Sequence, residues 1–239
     1  MQTTPPYGYD EIVPLRKEHR VRLSEDATPA FARKLNALAV SLAEFSAAAR
    51  DYPVVFASLD RGRSFAPVVV LGLEQGVNLF VGPGGDWDRS AYCPAFVRRY
   101  PFCISKLYVD GKAQSERVVC VARSQLDDAG MALFDAQGNA TPRWHAIERL
   151  LAEYEADLDR SAQMCAALAR FQLFEPFTMQ HGEINLAGIY WVSEAKLRDL
   201  KAATLKLLVS KGHMGAIYAH LHSLQNFTRL VDRRAAGRG

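Results

Sequence analysis

Between residues 52 and 122 the chain alternates short apolar runs with turn residues. Pro53-Val54-Val55-Phe56 and the run 65–73 are rich in β-branched and aromatic side chains and are separated by Asp60-Arg61-Gly62, a pattern that predicts two strands. Residues 77–81 follow the hairpin-like Glu74-Gln75-Gly76 and are expected to extend the ladder. Gly82-Pro83-Gly84-Gly85-Asp86 then reads as a loop, and 103–109 and 117–122 as two more strands joined through Asp110-Gly111-Lys112. The short connections imply antiparallel pairing, because a parallel crossover needs a dozen or more residues. Upstream, residues 10–24 offer short edge-like extended pieces. Residues 43–50 read as a helix, while 37–42 fit helix or strand.

The period changes after residues 135–141. Thr141-Pro142 is an N-cap followed by proline at the first helical position. Trp144, Ile147, Leu151, Tyr154, Leu158, Cys165 and Leu168 then form one apolar stripe of a helix that ends near residue 171, interrupted by small Ser161 and Ala162. Residues 183–192 alternate as an extended excursion. A second helix is expected after Ser193, with Leu197, Leu200, Thr204, Leu207 and Leu208 inward and Gly212 as its stop. Residues 215–222 fit strand or helix, and a last helix contains Phe227, Leu230 and Val231. The expected fold class is α+β, a largely antiparallel sheet in the first half packed against long amphipathic helices from the second half. One domain over 1–239 is the simplest organisation, β-rich over 10–134, helix-rich over 135–231, with a basic tail at 232–239.

With 49% hydrophobic and 23% charged residues, the 239-residue chain can bury a core without metal or disulfide staples. Its formal charge of +3 resides in residues 229–239, where four arginines face one aspartate. That tail is expected to be a solvated end. The neutral remainder lacks the basic face that drives nucleic-acid binding, so no nucleic-acid partner is expected. No stretch approaches the length of a membrane span, and residues 1–9 do not resemble a secretory leader, which predicts a cytoplasmic protein without a membrane partner. The four cysteines, Cys93, Cys103, Cys120 and Cys165, lack zinc or redox spacing and are expected as buried thiols.

No phosphate loop, dinucleotide turn, nucleophile elbow or H-E-x-x-H helix is present, and no cofactor is expected. The glycines at 82–85 lack the Lys and Ser/Thr of a phosphate cradle. His220 and His222 would share a face, and a metal, only on a strand; on a helix they diverge by roughly 200°. His19, His145, His181 and His213 are isolated. The distinctive cluster is the connector 87–102, in which Trp87, Tyr92 and Tyr100 flank the adjacent pair Arg98 and Arg99. Aromatic and arginine side chains together supply contact area and directional bonds, the composition of binding hot spots. The other reading is a buried connector with its arginines paired to carboxylates. Adjacency separates the pair in either conformation, so one arginine is expected to anchor and the other to remain accessible.

E-F-x-x-A-A-x-x-Y-P-V-V-F at 44–56 and Y-x-P-A-F-V-R-R-Y-P-F at 92–102 resemble the bacterial SapC family. Weaker matches are Leu133-Phe134-Asp135 with Gly138, Leu186-x-Gly188-x-Tyr190, and Ile217-Tyr218-Ala219-His220-Leu221-x-Ser223-Leu224. The resemblance implies a family named for surface-layer loci, often encoded near oxygenase, halogenase and outer-membrane receptor genes; it implies no particular reaction and no catalytic residues. The leading expectation is an intracellular accessory or binding protein that presents Trp87, Tyr92, Arg98, Arg99 and Tyr100 to a protein partner or small ligand. The alternative is an oxygenase-linked, metal-dependent enzyme using His220 and His222 or the arginine pair. A homodimer is also expected, since the long helix can share its stripe with a symmetry mate.

Overall fold

A computed structural model describes residues 5–23, 28–58, 60, 62–109, 112–181 and 184–237. The described strands are β1 (Ile12–Pro14), β2 (Arg20–Val21), β3 (Ala37–Ala39), β4 (Val54–Ala57), β5 (Ala66–Val70), β6 (Phe102–Val109), β7 (Lys112–Ala122), β8 (Met131–Ala132), β9 (Phe174–His181) and β10 (Ile184–Val192). The α-helices are α1 (Phe45–Ala48), α2 (Ala95–Arg98), α3 (Pro142–Arg170), α4 (Glu194–Arg198), α5 (Ala202–Ser210), α6 (His213–Ser223) and α7 (Asn226–Ala236). Among the described residues all the strand pairings are antiparallel, in an α+β fold of the expected class. Parts of the turn sequences at 60–62 and 110–112, and the ends of the chain at 1–4 and 238–239, lie outside the described residues.

Two units divide the chain, Met1–Ala32 with Ala95–Glu155 and Arg33–Pro94 with Ala156–Gly239. The first contains the sheet β1-β7-β6 and the small pair β2-β8. Its core gathers Val21, Phe102, Val121 and Leu133 against Trp144 and Leu151, so the α3 stripe covers β6 and β7 as the periodicity requires. The helix starts where expected: the Thr141 hydroxyl accepts from the Trp144 N–H at 3.3 Å and Pro142 needs no acceptor. Behind the sheet lies a second cluster, Tyr9, Ile12, Ala122 and the cross-strand pair Cys103 and Cys120. Burial pushes these thiols up, to about 12 and about 11 respectively, so they act as small apolar side chains.

The second unit is built on the sheet β3-β5-β4-β10-β9. The 52–122 region therefore divides between two sheets, β4 and β5 in one and β6 and β7 in the other. β9 escapes the sequence reading because Pro176 interrupts it; at the sheet edge a residue without an N–H is tolerated. Residues 77–81 form no strand: the Asn78 side chain accepts from the Phe80 N–H at 2.9 Å and draws the backbone into a turn. The expected helix after Ser193 is two helices. Lys201 is extended, which resets the helical phase; Leu197 and Leu208 stay buried while Leu207 turns outward at 45% exposure. Gly212 does stop α5, at φ 73°, a conformation glycine adopts without Cβ strain.

The basic tail departs from the expected solvated end. α7 continues through Ala236, with Phe227 and Leu230 buried. Arg233 pairs with Asp88 at 2.8 Å and lies 4.3 Å from the Phe80 ring centroid, and Arg234 pairs with Glu74 at 2.6 Å. Acidic partners in the 74–88 loops, invisible to local charge counting, hold these arginines to the fold.

Candidate functional site

The connector 87–102 is split between the two units. In its first part, aromatic side chains act inward. The Trp87 Nε1–H donates to the Tyr52 hydroxyl at 3.2 Å, and that hydroxyl donates to the Tyr92 carbonyl. Tyr92 is fixed at both ends, its N–H donating to Asp51 at 2.8 Å and its hydroxyl to Glu44 at 3.0 Å. Glu44 in turn accepts from the backbone and hydroxyl of Ser41 at 2.8 and 2.9 Å. Asp88 accepts from the Ser90 hydroxyl and backbone and from Arg233, which hold its carboxyl down to about 2. The glycines nearby serve packing: Gly85 at φ 93° leaves space that a Cβ would take from the Arg33 guanidinium, whose Nη2 donates to the Gly84 carbonyl at 3.1 Å. Trp87 and Tyr92 are thus part of a hydrogen-bonded network of the second unit.

The remaining part, Arg98 to Phe102, belongs to the first unit and separates the two arginines as their adjacency predicts. α2 is a single turn that buries Ala95, Phe96 and Val97 and leaves Arg98 exposed. Arg99 is 6% exposed and pairs with Glu155 at 3.6 Å. Its guanidinium lies 4.6 Å from the Phe96 ring centroid and 4.9 Å from that of Tyr154, so aromatic faces hold its position. Tyr9 completes the support. Its hydroxyl donates to the Phe102 carbonyl at 2.9 Å, its ring meets Tyr100 edge-on at 5.2 Å, and burial raises its hydroxyl pKa.

A cavity of about 340 Å³ opens beside this segment, within the first unit. Arg98, Arg99, Tyr100, Pro101 and Phe102 form part of its wall. Arg22, Thr28, Gln125, Arg143 and Ile147 contribute from elsewhere in the same unit. The buried Arg99 Nε–H has no hydrogen-bond acceptor. That nitrogen has no exposed surface, so it is a buried orphan donor of the kind folded proteins rarely leave.

His220 and His222 do not form a metal pair, because residues 213–223 are helical. His222 is exposed, whereas His220 is fully buried. Its Nδ1–H donates to the Val54 carbonyl at 2.6 Å, and its Nε2 accepts from the Val192 N–H at 3.0 Å. β4 and β10 pair through Phe56↔Tyr190, and continuing that register would set Val54 opposite Val192. The imidazole occupies that rung in place of a direct backbone bond. Ser223 accepts from the Val54 N–H at 2.8 Å and completes the attachment of α6. Burial lowers the imidazole pKa to about 4, which keeps it neutral in this role. No group of three or more potential metal ligands occurs among the described residues.

Several site residues were missed in the sequence. Arg22, Arg143 and Glu155 are ordinary surface-type charges in their local patterns, and Tyr9 lies 90 residues from the arginine pair. Only the α3 stripe carried a usable signal, since Tyr154 on it places Glu155 at the stripe's margin.

Fold and site together define an α+β protein with an arginine-bearing cavity in its first unit. The chain belongs to the SapC family, whose model matches residues 16–230. No curated protein and no solved structure matches the chain.

Proposed function

We propose that this SapC-family chain is an intracellular accessory protein that binds a small ligand through the Arg98–Phe102 cavity. The observation that carries this reading is a cavity in the first unit lined by Arg98, Arg99, Tyr100, Pro101 and Phe102 together with Leu23, Ile147 and Leu150. A few polar side chains set in a partly apolar concavity are how small-molecule sites obtain orientation and specificity. The cavity volume of about 340 Å³ falls within the usual range for such sites. The four cysteines are free thiols, the state that a reducing compartment maintains.

Native mass spectrometry of untagged protein, set beside Ala30→Trp, tests the reading. Ala30 lines the cavity and is exposed, so an indole there fills space without opening the core. The expected result is a small molecule carried by the parent and lost from a variant that melts normally. A ligand carried equally by both proteins would remove the cavity from the function.

A further inference from the structure

In the second unit, α5 carries more hydrocarbon than its packing uses. Of its residues only Leu208 is buried, while Leu207 and Val209 are exposed at 45% and 62%. A helix with apolar side chains on more than one face is normally covered on more than one side. Beside it, α3 has a second stripe outside the one that serves the core. Gln163, Ala166, Ala167 and Arg170 follow one another at i, i+3, i+4 and i+7, the spacing of a single helix face. The two helices border a groove of about 370 Å³, in which the short alanines leave space and Phe171, Leu207 and Leu208 supply hydrocarbon.

Charge narrows what this groove accepts. Arg170 ends α3 and Lys211 follows α5; both line the groove, and neither has a carboxylate partner or a side-chain hydrogen bond among the described residues. No Asp or Glu lines it among the described residues. The helix dipoles favour cations at these two C-terminal ends but leave their side-chain donors unused. A second copy of this chain docked face to face would bring two cationic patches together, because an isologous interface is the same patch twice. A lipid surface is met by long apolar side chains, whereas α3 offers alanines here. An apolar ridge flanked by carboxylates matches both the hydrocarbon and the charge, and helices enter such grooves through anchors at i, i+3, i+4 and i+7. We propose that the groove is a docking site for an acidic amphipathic helix of a protein partner, with its apolar ridge over Ala166 and Ala167 and its carboxylates toward Arg170 and Lys211.

Fluorescence anisotropy on the full chain at low salt provides the test. The probe is a labelled helical peptide with leucines at i, i+3, i+4 and i+7 and glutamates on either side, set beside one version with lysines for the glutamates and one with serines for the leucines. The acidic peptide should bind about tenfold or more tightly than either counterpart and should weaken as salt rises. Arg170→Glu combined with Lys211→Glu should reverse the preference, so that the lysine peptide binds more tightly than the acidic one. Ala166→Trp, at an exposed position whose indole fills the groove, should weaken the acidic peptide about tenfold or more. If the double variant melts early, Ala166→Trp still decides the matter. No binding of the acidic peptide, equal binding of the acidic and basic peptides, or an affinity unchanged by Ala166→Trp would overturn the inference. Binding to phosphatidylglycerol vesicles, or a dimer in sedimentation equilibrium, abolished by Ala166→Trp would overturn it in favour of a lipid surface or a second copy. The small-ligand cavity, in the first unit, stands or falls separately.

Discussion

The two ends of one sixteen-residue connector use similar side chains in opposite ways. From Trp87 to Tyr92, each polar group of the aromatic rings has a partner within its own unit: indole to Tyr52, Tyr52 to a carbonyl, Tyr92 to Glu44. From Arg98 to Phe102, aromatic rings surround a guanidinium whose Nε–H has no acceptor. Composition alone reads both ends as a hot spot. The difference lies in saturation: a network that closes on itself stabilises the fold, whereas a buried donor left without an acceptor is a cost that the surrounding cage must offset.

The sharpest challenge to this comparison is Arg99→Ala. It removes one of the arginine partners of Glu155 and opens a void in the aromatic cage, and should cost about 2–3 kcal/mol, measured by urea denaturation. A cost below about 1 kcal/mol would show that the arginine is not an anchored element of the site.

His220 offers a contrast in which every ring nitrogen is used. The unfolded chain takes up a proton below its ordinary imidazole value of 6.5, while the native state refuses it until about 4. This group's contribution to stability is therefore complete above 6.5 and is lost as pH falls through that window. Between pH 7 and pH 5 the loss should be about 2 kcal/mol, and His220→Gln should flatten the decline in a denaturation series. An unchanged slope in the variant would show that other groups carry the acid sensitivity.

The closed network is probed by Tyr52→Phe, which leaves the Trp87 N–H and the Tyr92 carbonyl without their shared partner. A loss of about 1–2 kcal/mol is expected, with ligand binding in the first unit unchanged. The smallest effect belongs to Arg98→Ala. As an exposed side chain it should contribute under about 1 kcal/mol to folding, yet its removal should weaken binding of a ligand to the cavity it lines. A variant that melts and binds like the parent would remove Arg98 from the site.

Periodicity made much of the architecture legible. The α3 stripe, the strands expected at 53–56, 65–73, 103–109 and 117–122 and found as β4, β5, β6 and the second half of β7, and the caps at Thr141 and Gly212 all follow from local rules, since each depends on residues within a few positions. The divergence of Arg98 and Arg99 was legible for the same reason, being set by adjacency. Tertiary structure decided which of them is buried, because Glu155, Tyr9 and Tyr154 come to Arg99 from distant segments. It also turned His220 into a rung between β4 and β10 and bound Arg233 and Arg234 to acidic loops. Local sequence governs the intrinsic geometry of a segment, whereas the pairing of buried polar groups depends on partners whose distance along the chain bears no relation to their distance in space.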